Sequence, residues 1–126
     1  MRKTFLSEQA KEFRSKYNLK SSPERRATSY QKNLIVEEYA EFSEADSMLF
    51  RNNPEFFENT LKELADLVYV CYQYAENMGW SLDEALDRVH KSNMSKLDED
   101  GKPIYREDGK VLKGPNYKLP NLTDLF

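Results

Sequence analysis

The chain has 126 residues, of which 39% are hydrophobic and 33% charged, with a net charge of −3 and a pI near 5.3. This length suits one domain with a modest core. The absence of a long basic block excludes a nucleic-acid partner, and the short apolar runs exclude a membrane span. The N-terminus carries charges where a signal peptide needs apolar residues, and the single Cys71 cannot form an internal disulfide. We therefore expect a cytoplasmic protein.

Helical periodicity predicts four helices followed by a tail. Thr28 or Ser29 can cap the second helix, Gly79 stops the third, and Ser81 with Glu84 forms a capping box for the fourth. The predicted helices run from about Ser7 to Tyr17, from Thr28 or Ser29 to Phe50, from Pro54 to Met78, and from Ser81 to Asn93, with a connector over Asn18 to Arg26.

The tail from Leu97 onward has a different composition. Ile104-Tyr105 and Val111-Leu112 flank an Asp-Gly turn, which predicts a short β-hairpin, and an irregular strap follows it. The tail could serve as a lid over the functional site or as an arm that is exchanged between the subunits of a dimer, and the sequence leaves both alternatives open. The predicted fold is all-α: a four-helix-type bundle with a helical hairpin and a C-terminal β-hairpin or strap. We expect a single domain over 1–126, with a helical core over about 5–96.

Four acidic residues form two matching pairs, Glu38 with Glu41 and Glu63 with Asp66. Each pair is spaced i,i+3, so both carboxylates lie on one face of a helix. The pairs are symmetric about residue 52, which lies in the helix-breaking stretch from Arg51 to Pro54. An antiparallel hairpin turning there would bring all four carboxylates to one level.

Solvated surface acids are the alternative interpretation, because charged residues are abundant in this chain. Helical-wheel positions argue against it: Glu38 and Glu41 fall within the apolar sector, and Glu63 and Asp66 lie in a segment that is apolar nearly all round. Burying a carboxylate is costly unless it is paired or binds a metal, and one nearby lysine, Lys62, cannot neutralise four acids. The pattern therefore predicts a hard-cation site for Mg²⁺, with Mn²⁺ as a possible substitute.

A Mg²⁺ site of this kind suits a polyphosphate substrate, which also needs fixed cations and hydrogen-bond donors. The end of the fourth helix supplies candidates in Lys91, Asn93 and Lys96. Asn93 can donate to a phosphate or a sugar hydroxyl, and the lysines can neutralise phosphate charge. Lysines at a helix C-terminus also interact favourably with the helix dipole, so this stretch supports the prediction only together with the acids.

These residues resemble the signature of the all-α nucleotide pyrophosphohydrolases, which include the MazG proteins, the dimeric dUTPases and the phosphoribosyl-ATP pyrophosphohydrolases. The resemblance rests on Glu-Glu-x-x-Glu at 37–41 and Glu-x-x-Asp at 63–66. The segment 92–96, Ser-Asn-Met-Ser-Lys, is similar to the nucleotide-contacting segment of small MazG-like members. The resemblance spans about Thr28 to Lys96, and the tail matches more loosely.

The resemblance implies hydrolysis of a (d)NTP to a (d)NMP and diphosphate, as nucleotide-pool housekeeping. It implies that Glu38, Glu41, Glu63 and Asp66 are metal ligands. Glu37 would bind a further ion or orient the attacking water, which makes Glu37 and Glu38 the catalytic candidates. The exposed aromatic surface expected of so short a chain favours a homodimer or a dimer of dimers.

Three alternatives remain. A phosphoribosyl-ATP pyrophosphohydrolase is the nearest, because the four acids do not select the base. A non-catalytic helical interaction module would keep the helices but would have no reason to bury the acids. A carboxylate di-iron bundle typically uses two Glu-x-x-His pairs, and this chain has one histidine.

Overall fold

The computed structural model describes residues 5–51 and 53–126. Within these ranges the secondary structure is helical and contains no β-strand, which confirms the all-α prediction. Asn52, at the centre of the predicted hairpin turn, and residues 1–4 lie outside the described residues. Among the described residues, no helix combines the length and apolar character that crossing a membrane requires. The elements are α1 (Leu6–Lys16), α2 (Arg25–Ser47), α3 (Glu55–Met78), α4 (Leu82–Met94) and a 3₁₀ turn at Thr123–Leu125.

Three helix ends have clear local causes. Asn18 follows α1 in the left-handed region with φ 56°, which asparagine tolerates better than most residues. Gly79 ends α3 with φ 75°, and the Trp80 amide donates to the carbonyl of Ala75 at 2.9 Å, a typical glycine C-cap. Ser81 Oγ accepts a hydrogen bond from the Glu84 amide at 3.3 Å. The predicted stop at Gly79 and cap at Ser81 are therefore confirmed.

The beginning of α2 differs from the prediction. The helix begins at Arg25, and the amide of Thr28 already donates to the carbonyl of Glu24 at 3.0 Å. Glu24 is extended with φ −64° and ψ 150°, and it makes no capping bond with its side chain. The prediction that Thr28 or Ser29 caps α2 is wrong, because the chain becomes helical directly after the Pro23-Glu24 extended segment.

The chain divides into two compact units, and the first ends at Trp80. In this unit α3 packs against both α2 and α1. The Thr60 hydroxyl donates to the carbonyl of Ala45, whereas Thr28 reaches Met78 at the other end, so α2 and α3 are antiparallel. The small apolar core consists of Ala10, Ala45, Tyr72 and Ala75.

One face of α3 remains exposed, although the sequence of this helix is apolar nearly all round. Leu61 is 67% exposed, and the other members of this apolar face are exposed as well. They recur at helical spacing along one side of α3 and comprise Phe57, Leu61, Leu64 and Val68. Towards α1 this face borders an apolar groove that Leu6 and Ala10 also line, and its side chains stay exposed.

The second unit, Ser81–Phe126, contains α4 and the irregular strap that follows it. Ser92 Oγ donates to the carbonyl of Lys118 at 2.7 Å, and Arg88 forms an ion pair with Asp124. A Cβ on Gly114 would collide with the carbonyl oxygens of Lys96 and Leu97, so only glycine permits this approach. Because α4 belongs to this unit, a four-helix bundle is not confirmed, and the single-domain interpretation stays a prediction.

The predicted C-terminal β-hairpin is not confirmed. Tyr105 and Val111 form one isolated antiparallel bridge, and no strand extends from it in the described residues. The Asp108 carboxylate accepts hydrogen bonds from the Arg106 guanidinium and from the amide of Lys110. Such local side-chain bonds satisfy the turn by themselves and compete with a longer ladder.

Candidate metal centre

Three of the four predicted ligands come together between α2 and α3. Glu38 and Glu41 lie one turn apart on α2, and Glu63 lies on α3. One carboxylate oxygen from each of the three lies within 4.8 Å of the others. Glu38 and Glu63 are half-buried, whereas Glu41 is exposed. The hairpin therefore brings acids from two helices into one cluster, as their spacing in the sequence predicts.

The buried oxygens of this cluster lack hydrogen-bond donors. Oε2 of Glu38 and Oε2 of Glu63 are both inaccessible to solvent and have no hydrogen-bond partner among the described residues. A buried carboxylate oxygen without a donor is costly in free energy. Carboxylate oxygens are the ligands that Mg²⁺ prefers, so these residues fit a hard divalent cation.

The electrostatics of the cluster are those of crowded negative charge. Burial raises the pKa of Glu38, and the neighbouring charge of Glu41 raises it further. A hydrogen bond shared with Glu41 and the charges of Asp66 and Glu63 act in the same direction. The cluster therefore favours any positive charge, either a proton or a metal ion.

Asp66, the fourth predicted ligand, is held by a lysine. Lys62 Nζ lies 2.8 Å from Asp66 Oδ2 and 3.4 Å from Glu63 Oε1. Asp66 does not belong to the group of three that lies within 4.8 Å. Its charge still contributes to the raised pKa of Glu38, so it lies close to the cluster. The hydrogen bonds that Lys62 donates to Asp66 and Glu63 raise the pKa of Lys62, so its ammonium group stays charged.

The four remaining predicted residues differ in their local surroundings. Glu37 is exposed on α2, and no described contact joins it to the cluster. In the second unit, Lys91 pairs with Asp87 at 2.9 Å, Asn93 is exposed, and Lys96 is half-buried just after α4. The roles of these four residues stay predictions.

The sequence reasoning missed a buried polar network that fixes α1 against α3. Arg14 donates to Gln73 Oε1 and to Asn77 Oδ1, and Asn77 in turn donates to the carbonyl of Ser22. All three long polar side chains are buried. Gln73 and Asn77 are spaced i,i+4 within an apolar helix, which is the signal that could have revealed them.

An all-α chain whose helical hairpin presents Glu-Glu-x-x-Glu opposite Glu-x-x-Asp has the architecture of the MazG-like all-α nucleotide pyrophosphohydrolase superfamily. The comparison with protein families narrows this class. The family model for phosphoribosyl-ATP pyrophosphohydrolase matches residues 3–93, and the chain belongs to this family of hydrolases, which act on phosphoric anhydrides.

A viral protein is similar over most of the chain. "Uncharacterized protein L479" of Acanthamoeba polyphaga mimivirus is 29% identical over 138 aligned positions, which cover 78% of this chain. The match covers 55% of the viral protein, so the chain spans little more than half the length of this relative.

Proposed function

We propose that this chain is a Mg²⁺-dependent nucleotide pyrophosphohydrolase that converts a (d)NTP and water into a (d)NMP and diphosphate. The observation that supports this most directly is the cluster of Glu38, Glu41 and Glu63, whose buried oxygens lack donors in a chain of this family. Asp66 would complete the ligand set after exchanging Lys62 for the ion. Mn²⁺ would substitute for Mg²⁺.

The chain's own residues have distinct parts in this reaction. Glu37, exposed at the edge of the same helix, would accept the proton from the attacking water. Lys91, Asn93 and Lys96 would bind the phosphates and the sugar. When bound, Mg²⁺ supplies the positive charge that offsets charge developing on the phosphate oxygens.

Phosphoribosyl-ATP is the second candidate substrate, because the matching family model carries that description. We expect diphosphate release from one or a few members of a panel of eight (d)NTPs and phosphoribosyl-ATP, with Mg²⁺ and not with EDTA. Turnover of phosphoribosyl-ATP alone would assign the second substrate. If the folded protein turned over none of these substrates, the result would contradict the proposed pyrophosphohydrolase activity and favour a non-catalytic helical module.

We predict that Mg²⁺ stabilises the folded protein by an amount that depends on pH. Because the pKa of Glu38 is raised on folding, the folded state binds more protons than the unfolded state as this group titrates. The metal-free protein therefore loses stability as pH rises through that pKa. Mg²⁺ binds the ionised cluster, so its stabilisation should grow over the same interval and reach about 2.7 kcal/mol at a hundred times Kd. Melting curves from pH 5 to 8, with and without Mg²⁺, measure this difference. A Mg²⁺ effect that is absent or independent of pH would contradict the proposed site.

The exposed face of α3 supports a homodimer, or a dimer of dimers, as the active form. Leu61 and Val68 also line an apolar groove of about 360 Å³ against α1. We expect Leu61→Glu to convert the dimer to monomer at micromolar concentration in sedimentation equilibrium, because it places a charge in an apolar interface. Leu119→Glu, at an exposed position in the second unit, should leave the dimer intact. A wild-type monomer would contradict the proposal.

A further inference from the structure

A second cavity lies in the first unit, where α1 ends and α2 begins. It has a volume of about 520 Å³, and none of the four predicted metal ligands lines it. Gln31 lies seven residues before Glu38 on α2, which places it about 10 Å along the helix from the candidate metal centre. The side chains that matter for its chemistry are Arg14, Lys20, Glu24, Arg26 and Gln31.

Arg14 contributes a buried cation to this cavity. It is 6% exposed, and its terminal nitrogens donate to Gln73 Oε1, Asn77 Oδ1 and the carbonyl of Lys20. Its Nε is buried and has no hydrogen-bond partner in the part of the chain that is described. None of the ion pairs formed by described residues includes Arg14. The guanidinium therefore has a free donor, and the carboxylate of Glu76 acts on its charge without forming an ion pair with it.

Gln31 contributes the complementary group. It is 6% exposed, and its Oε1 is a buried acceptor without a donor within the described ranges. A buried acceptor of this kind costs free energy until a donor reaches it. A ligand that offers an acceptor to Arg14 and a donor to Gln31 would satisfy both atoms. A phosphate group that retains one proton presents both functions.

The start of α2 adds to the attraction for anions. Arg26 and Ala27, in its first turn, line the cavity, and this turn has no side-chain cap and no acidic residue. The free amides and the dipole at such an end favour a negative charge. Around the cavity, Arg14, Lys20 and Arg26 outnumber the one carboxylate, Glu24.

We propose that this cavity binds a phosphoryl oxyanion, with Arg14 as the buried donor and Gln31 as the buried acceptor. The phosphoryl group comes either from inorganic phosphate or from the 5′-phosphate of a nucleotide. The site is separate from the candidate metal centre, and the proposal does not depend on the hydrolase reaction.

The binding experiment uses the full chain carrying Glu38→Gln, in EDTA, so that metal-dependent binding at the acids does not contribute. Inorganic phosphate, AMP and potassium chloride at matched ionic strength are titrated in turn, and the Nε–H signal of Arg14 is followed by NMR. We expect saturable shifts with phosphate or AMP and none with chloride. Equal binding of the two identifies the free ion as sufficient, whereas tighter binding of AMP identifies a nucleotide. No saturable shift with either at millimolar concentration would overturn the site.

A variant that adds one negative charge to the cavity tests the proposal most directly. Gln31→Glu removes the neutral acceptor and adds a negative charge to the lining of the cavity, so it should weaken phosphate binding at least about tenfold. Asn33→Asp makes the same charge change at an exposed position of α2 and should bind phosphate as the parent does. Unchanged phosphate binding by the Gln31→Glu protein would overturn the proposal.

Discussion

Glu38→Gln is expected to lower nucleotide hydrolysis by at least about 100-fold while leaving the metal-free fold intact. Glutamine keeps the shape of the side chain but removes a carboxylate that would bind the ion. The same change relieves repulsion, because Glu38 lies beside Glu41 and within the field of Asp66 and Glu63. The melting temperature in EDTA should therefore be unchanged or raised, and Mg²⁺ should stabilise the variant less than the wild type.

Glu44→Gln is the matched control for this experiment. Glu44 is an exposed acid one turn beyond Glu41 on the same helix, so the substitution makes an identical chemical change away from the cluster. We expect its turnover to match wild type. Initial rates of diphosphate release and melting curves in EDTA separate the two effects. Full turnover by the Glu38→Gln protein would remove Glu38 from the site.

The part of the cluster that the sequence predicts follows from helix geometry alone. An i,i+3 spacing fixes two side chains on one face, and symmetry about the turn fixes the level at which the two helices meet. These two facts predict the convergence of Glu38, Glu41 and Glu63 without knowledge of the other contacts. Gly79 and Ser81 were predictable for a similar reason, since helix ends depend on local backbone chemistry.

The partner of Asp66 was harder to predict, because it depends on competition between neighbours. Lys62 lies four residues before Asp66 and one before Glu63, and the folded chain lets its ammonium contact both carboxylates. Sequence spacing shows that the lysine is within reach of Asp66. It does not show whether Asp66 pairs with this lysine or joins the other carboxylates around an ion.

The exposed face of α3 illustrates a second limit. Its periodicity shows apolar residues on nearly every side, but periodicity cannot distinguish a face covered by the same chain from one left for another copy. Similarly, the phosphate-binding cavity requires Arg14 from α1 and Gln31 from α2, which are distant in sequence and lie in no recognisable motif. Only the packing of the helices brings them together.

Arg14→Met is expected to destabilise the protein by about 2–4 kcal/mol. Arg14 connects α1 to α3 through Gln73 and Asn77 and also holds the carbonyl of Lys20 at 3.1 Å. Methionine fills a similar volume but donates no hydrogen bond, so the buried Gln73 Oε1 and Asn77 Oδ1 lose this donor, and so does the part-buried carbonyl of Lys20. Losing two buried hydrogen bonds lowers the free energy of unfolding by more than removing the cost of burying the guanidinium raises it.

Urea denaturation followed by the fluorescence of Trp80, the single tryptophan, measures this loss within the unit that contains the network. Lys11→Met is the matched control, because Lys11 is a cation on the same helix with 69% of its side chain exposed. It should change stability by less than about 0.5 kcal/mol, as exposed substitutions usually do. Equal stability of the Arg14→Met and Lys11→Met proteins would show that the buried network does not stabilise the packing of α1. A selective loss in the Arg14→Met protein would show that polar contacts, and not the apolar core alone, fix this helix.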